Sequence, residues 1–324
     1  MKTRSFSIAA ATLLALAVPA APSFAQPAYP SKPIRIIVAY PAGQGTDVAT
    51  RYIAEQLGKG LGQAVVVENR PGAGGNLGTE LAAQAAPDGY TLTMGTNATH
   101  NLNQFLYPSL KFNPEKDFEP VMLVGTFPMV IAASPKSKFS TLSDVMATVK
   151  TDPRSADVAM PSTTARLVIE LIKSRSAVSL FGVPYRGSAA ALTDVGGGQL
   201  PLMVDTPAGL RSHIAAGTVR PIAVTSLKAS ALLPGVAPVS EQGLPGFEVI
   251  AWNALYAPHG TPPAIVRTLN AELAKILAAP ETQQRLLSLG FEPGGGSPAD
   301  LAKFARSERA KWEPIIRGAG IKAE

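Results

Sequence analysis

Residues 34–47 read Ile-Arg-Ile-Ile-Val-Ala-Tyr-Pro-Ala-Gly-Gln-Gly-Thr-Asp, and few folds accommodate such a stretch. Residues 34–39 form a short, nearly continuous apolar run, the pattern of a strand buried on both faces of a parallel sheet. Tyr40 and Pro41 end the run, and Ala42-Gly43-Gln44-Gly45 makes a tight turn. Beyond it Val48, Tyr52, Ile53, Leu57 and Leu61 share one helical face, with Thr46 or Asp47 suited to cap the helix. Strand, glycine-rich turn and helix N-terminus in succession offer backbone N–H groups and the positive end of a helix dipole, which suit an anion. The same glycines also serve a plain βα connection, and this stretch alone leaves the two readings level.

The pattern repeats along the chain. Residues 64–68 read as a second strand, 69–76 as a second glycine-rich turn, 77–85 as a helix and 90–95 as a third strand ending in the polar loop 96–100. This βαβαβ order calls for a parallel sheet. Ligands collect beyond the carboxyl ends of such strands, which places 40–47 and 96–100 on one edge. Two apolar runs, 118–124 and 129–133, are separated by 125–128 and read as the passage into a second α/β unit. That unit has a helix at 142–150, strands at 158–160, 181–185, 200–205 and 222–226, and polar turns at 161–164 and 186–188. Residues 249–258 cross back, and helices at 263–278, 281–289 and 298–317 close the chain, each with proline in or beside its first turn. The expected division is a first lobe of 27–125 plus 252–324 and a second of 126–251.

Several function classes drop out. Residues 1–25 read as a signal peptide: Lys2 and Arg4, an apolar stretch at 8–18, then Ser23-Phe24-Ala25 with cleavage after Ala25. Pro19 and Pro22 break it too early for a membrane span, so a soluble periplasmic protein is expected. The chain has no cysteine, which removes disulfides, thiolate metal sites, thiol catalysis and a lipid anchor. Without Lys2 and Arg4, 27 basic residues face 23 acidic ones, and they are scattered rather than clustered as nucleic-acid binding requires. Gly43-Gln44-Gly45 starts like a dinucleotide fingerprint but has Val48 at the third glycine, and Gly-Lys-Ser/Thr never occurs. No cofactor or metal is expected, and a missing G-x-S-x-G elbow argues against an exported hydrolase. His100 is a ligand-loop residue or simply solvated. Asp47 caps the first helix or lines a cleft, and Asp205 is a turn carboxylate or a cleft acceptor. Arg166 and Arg186 are structural arginines or partners for an anion.

Six segments together carry a family likeness: Tyr29-Pro30-Ser31-Lys32-Pro33-Ile34-Arg35; Gly43-Gln44-Gly45-Thr46-Asp47; Val67-Glu68-Asn69-Arg70-Pro71-Gly72-Ala73-Gly74-Gly75-Asn76; Ala86-Pro87-Asp88-Gly89-Tyr90-Thr91-Leu92; Val183-Pro184-Tyr185-Arg186-Gly187-Ser188; and Pro258-His259-Gly260-Thr261-Pro262-Pro263. The chain resembles the Bug family, TctC-like periplasmic substrate-binding proteins of tripartite tricarboxylate transporters, over essentially its whole mature length. The resemblance implies an α/β, two-lobed periplasmic binding fold of type II kind, each lobe a mainly parallel sheet flanked by helices, closing on a ligand in the cleft between them. It implies a small organic acid as ligand, membrane permease subunits as partners, and a monomer. By position the first lobe should contribute Ala42, Gly43, Thr46, Asp47, Thr96 and Asn97, with Tyr40 and Gln44 from the same turn. The second should contribute Ser162, Thr163, Thr164, Tyr185, Gly187, Ser188 and Asp205. Two departures fall where ligand identity is set: Gln44 replaces a frequent glycine, and 160–166 lacks a longer Gly-Asn-Gly loop. A ligand-sensing partner of a membrane signalling protein is the rival role for the same fold.

Overall fold

A computed structural model of the chain describes residues 29–322, and the expected signal peptide lies outside them. In chain order the first lobe opens with β1 (Ile34–Val38), α1 (Gly45–Leu61), β2 (Val65–Asn69), α2 (Asn76–Ala83), β3 (Thr91–Thr96) and the short α3 (Asn103–Leu106). Ile34, Ile36, Ile37 and Val38 are all buried because β1 lies between β2 and β3, parallel to both. α1 turns Ala49, Ile53, Ala54 and Leu57 to the core and stops at Gly62, which takes the left-handed conformation that favours glycine.

The chain then leaves along β4 (Phe118–Pro128) and continues into β5 (Val130–Ala133). The second sheet is built around α4 (Leu142–Val149), β6 (Val158–Met160), α5 (Thr163–Ser176), β7 (Gly182–Pro184), α6 (Ser188–Gly197), β8 (Leu202–Asp205), α7 (Pro207–Ala215) and β9 (Arg220–Val224). β10 (Ile250–Pro258) returns to the first sheet, followed by α8 (Pro263–Ala278), α9 (Pro280–Ser288), β11 (Glu292–Gly295) and α10 (Pro298–Gly318). α7 to α10 all carry proline at the start, where its missing N–H is unneeded.

The strand orders are β11-β4-β10-β3-β1-β2 and β7-β6-β8-β5-β9. Both sheets are mixed rather than mainly parallel. Strands from βαβ units pair in parallel, but β10 runs against both β3 and β4, β11 against β4, and β5 against both β8 and β9. The reason is topological: β4 carries the chain out of the first sheet and β10 carries it back, so the two crossings run in opposite directions. They pair from Phe118–Pro258 to Pro128–Ile250. Residues 125–128, between the apolar runs at 118–124 and 129–133, are therefore the end of β4, and the sheet change comes at Met129. Thr225, fully buried, fastens both crossings: its backbone N–H donates to the Met129 carbonyl and its hydroxyl to the Val249 carbonyl, at 2.9 and 2.6 Å.

Candidate functional site

The turn after β1 is locked from within. Gly43 has φ +84°, a left-handed conformation that favours glycine, and its N–H donates to Asp47 Oδ2 at 2.9 Å. Arg51 Nε donates to the same oxygen at 3.0 Å, and Asn69 Nδ2 donates to Oδ1 at 2.8 Å. Burial works to raise the Asp47 pKa, but the bonds from Arg51, Gly43 and Asn69 outweigh it and hold the carboxyl below its ordinary value. The helix cap is Gln44, not Thr46 or Asp47. Asp47 sits inside the first turn, where a negative charge meets the helix dipole favourably. The Gly43 amide is thereby already used by the protein itself.

Next to this turn the two lobes enclose a chamber of about 40 Å³. The first lobe supplies Tyr40, Gln44, Gly45, Thr46, Thr96 and Asn97, the second Ser162, Thr164, Asp205 and Thr206. The crossings supply Phe127, Met129, Ala251 and Asn253 as its floor. Three hydrogen bonds order its wall: Tyr40 OH with Thr96 Oγ1 at 2.9 Å, Thr46 Oγ1 to Asn253 Oδ1 at 3.3 Å, and Thr164 Oγ1 to Asn97 Oδ1, between lobes, at 3.3 Å. Gly45 is required by close approach, since a Cβ there would lie 2.7 Å from Thr206 Oγ1. Burial pushes the Tyr40 phenol up to about 12, so it stays neutral.

Asp205 is the one carboxylate in the chamber wall, 3% exposed. Its Oδ1 accepts from the Thr206 N–H at 2.7 Å, while Oδ2 has no hydrogen-bond partner among the described residues. Burial pushes its pKa up to about 6, against the lowering pull of the Ser188 hydroxyl and the Thr206 amide and hydroxyl. Asn253, also buried, has no partner for its Nδ2 donor among the described residues.

Tyr40, Gln44 and Ser162 line both the chamber and a larger vestibule of about 910 Å³ beside it. Gly72 to Gly75, Tyr107, Thr163, Tyr185, Arg166 and Arg186 also line the vestibule. Tyr185 donates to Asp194 Oδ2 at 2.5 Å, and burial, reinforced by Asp194, pushes its phenol up to about 12. Ser162 caps α5 by accepting from the Ala165 N–H at 3.2 Å.

Of the residues anticipated from sequence, Tyr40, Gln44, Thr46, Thr96, Asn97, Ser162, Thr163, Thr164, Tyr185 and Asp205 line one or both cavities. Ala42, Gly43, Asp47, Gly187 and Ser188 do not. Gly187 packs on Pro41, and Ser188 takes a 3.2 Å hydrogen bond from Gln44 Nε2 across the cleft. His100 is no loop residue either: it lies in a π-helical turn, stacked on Tyr256 with centroids 4.2 Å apart. Burial, with Arg309 adding to it, pushes its pKa down to about 3. Sequence reasoning missed Asn253 and Thr206. The signal for Asn253 was present, as a lone amide in the apolar run Trp252-Asn253-Ala254-Leu255.

Residues 49–321 match the tripartite tricarboxylate transporter family receptor. The chain belongs to that receptor family. It is 34% identical to Protein BugT of Bordetella pertussis over 91% of each chain. Among solved structures, an R. palustris protein with adipate superposes with a TM-score of 0.88 at 32% identity, over 91% of this chain and 99% of that one. MatC from Rhodopseudomonas palustris, with bound malate, gives 0.83 at 32% identity over 89% and 100%. The receptor family is one of periplasmic solute-binding proteins rather than enzymes. No helix among the described residues is long and apolar enough to cross a membrane.

Proposed function

We propose that this receptor captures a small organic acid in the periplasm, between lobes that meet where the chain changes sheets at Met129 and re-enters the first sheet at Ile250. One polar end of the acid enters the chamber and the remainder lies in the vestibule. The observation that carries this reading is the two-part cleft itself: a narrow chamber with two unpartnered polar atoms, beside a wider space with Arg166 and Arg186 in its wall. The arginines and the start of α5 favour an anionic group there. Adipate and malate in two relatives support the same ligand class.

The captured acid is then handed to the membrane subunits of a tripartite tricarboxylate transporter, as the family's description suggests. A thermal-shift screen against mono-, di- and tricarboxylates tests the first part, because a ligand that binds only the folded state raises Tm. Identification of the cognate acid should be followed by uptake assays with tripartite tricarboxylate transporter permease subunits. A panel that leaves Tm unchanged contradicts the reading.

A further inference from the structure

The chamber holds an unpartnered acceptor, Asp205 Oδ2, and an unpartnered donor, Asn253 Nδ2, both on buried side chains. An ionised carboxylate offers acceptors only. It suits Asn253 and the start of α1 at Gly45 and Thr46, but it also meets the Asp205 carboxylate. Two carboxylates confined together do not both stay ionised, and one holds a proton. A carboxyl pair with one proton between them satisfies both orphaned atoms: O–H to Asp205 Oδ2, and the remaining oxygen to Asn253 Nδ2.

We propose that the acid's inner carboxyl binds by sharing one proton with Asp205, so that capture near pH 8 takes up one proton from solvent. This rests on the organic-acid reading above. No other charge intervenes. β5 faces Asp205 with Val130, α6 brings Ser188, α7 brings Thr206 and Gly209, and the α1 turn brings Gln44 and Gly45. Tyr40, the other titratable group in the chamber wall, is neutral. The upward displacement of the Asp205 pKa comes from burial, with no Coulombic contributor, so a second carboxylate is the first charge it meets.

The experiment is calorimetry on the mature protein with a panel of short dicarboxylic acids that includes malate and adipate. It is run near pH 8 in buffers of different protonation enthalpy, then repeated from about pH 6 upward. Uptake close to one proton per acid is expected, with Kd rising about tenfold per pH unit above about pH 7. Asp205→Asn places an amide donor opposite the ligand, so its proton uptake should fall to near zero and its Kd should become flat with pH. Tight binding without proton uptake by the unmodified protein, which needs no variant to fold, overturns the inference and leaves the organic-acid reading standing. An unchanged proton count in Asp205→Asn also overturns it. Failure of every acid to bind at any pH contradicts the organic-acid reading itself, and this inference with it.

Discussion

Asp47 and Asp205 occupy similar places in the two lobes. Asp47 follows β1 and Asp205 ends β8, each is buried, and each stands at or just before the start of a helix. Their surroundings differ. Asp47 collects hydrogen bonds from Gly43, Arg51 and Asn69, which together hold its pKa down against burial. Asp205 has one oxygen bonded to the Thr206 amide and the other unpartnered, and burial raises its pKa to about 6. A carboxylate with all its bonds made inside the protein holds a turn together. One left with a free acceptor in a cavity is stabilised by what enters. The comparison separates structural from binding roles where the local motifs look alike.

The largest loss of stability should come from breaking the satisfied member. Asp47→Ala leaves the Gly43 and Asn69 donors and the Arg51 guanidinium without their acceptor, and should lower stability by ~2–3 kcal/mol in urea unfolding. If Asp47→Ala unfolds like the parent, the turn is held by something else.

Asp205→Asn should act in the opposite direction on the empty protein. A folded-state pKa raised from 3.8 to about 6 means that the folded state binds more protons than the unfolded one across that window. Its contribution to stability is present below the lower value and is lost as pH rises through the upper one. The loss corresponds to ~3 kcal/mol. The stability of Asp205→Asn relative to the parent should therefore rise between about pH 4 and pH 7, then level off. Taking the difference cancels carboxylates such as Asp47, whose depressed pKa gives stability that is lost as pH falls. A flat difference would mean that Asp205 is already satisfied.

Asn253→Ala probes the chamber's donor. It should weaken acid binding by ~1–3 kcal/mol, since a charge-assisted bond is removed, and affect stability less because only the Thr46 bond is lost. Equal loss of affinity and stability would make Asn253 a structural residue. Smallest should be Ser188→Ala, which removes the Gln44 partner at 3.2 Å and should cost about 0.5–1.5 kcal/mol in either assay. It should also move the Asp205 pKa further up, detectable by carboxyl NMR titration, because the hydroxyl lowers it.

Much of this was readable from the chain. The apolar run at 34–39 and the turn after it locate β1 and α1 because burial on both faces and the need for φ > 0 at Gly43 leave local marks. The second-lobe turns at 161–164 and 186–188 likewise announce themselves, and most of the cleft residues sit in such turns. What was not readable depends on pairing at long range. Nothing local in β4 or β10 says that they run antiparallel, that β4 continues through Gly125, or that Glu292–Gly295 adds an edge strand. The polar stretch 96–100 looks like a loop, yet stacking on Tyr256 and a tilted contact with Phe118 hold His100 in the core. That Asp47 is satisfied depends on Asn69, brought near by the fold and invisible in the local motif, and no residue of that kind reaches Asp205 Oδ2 among the described residues.

The central claim is that the two orphaned atoms of the chamber mark where the ligand's inner end is held. A crystal structure with a bound dicarboxylic acid from the thermal-shift screen tests it most directly. One carboxyl group should lie within hydrogen-bond distance of both Asp205 Oδ2 and Asn253 Nδ2, with the rest of the molecule extending past Gln44 toward Arg166 and Arg186. An acid seated elsewhere, with those two atoms still unpartnered, would contradict the account.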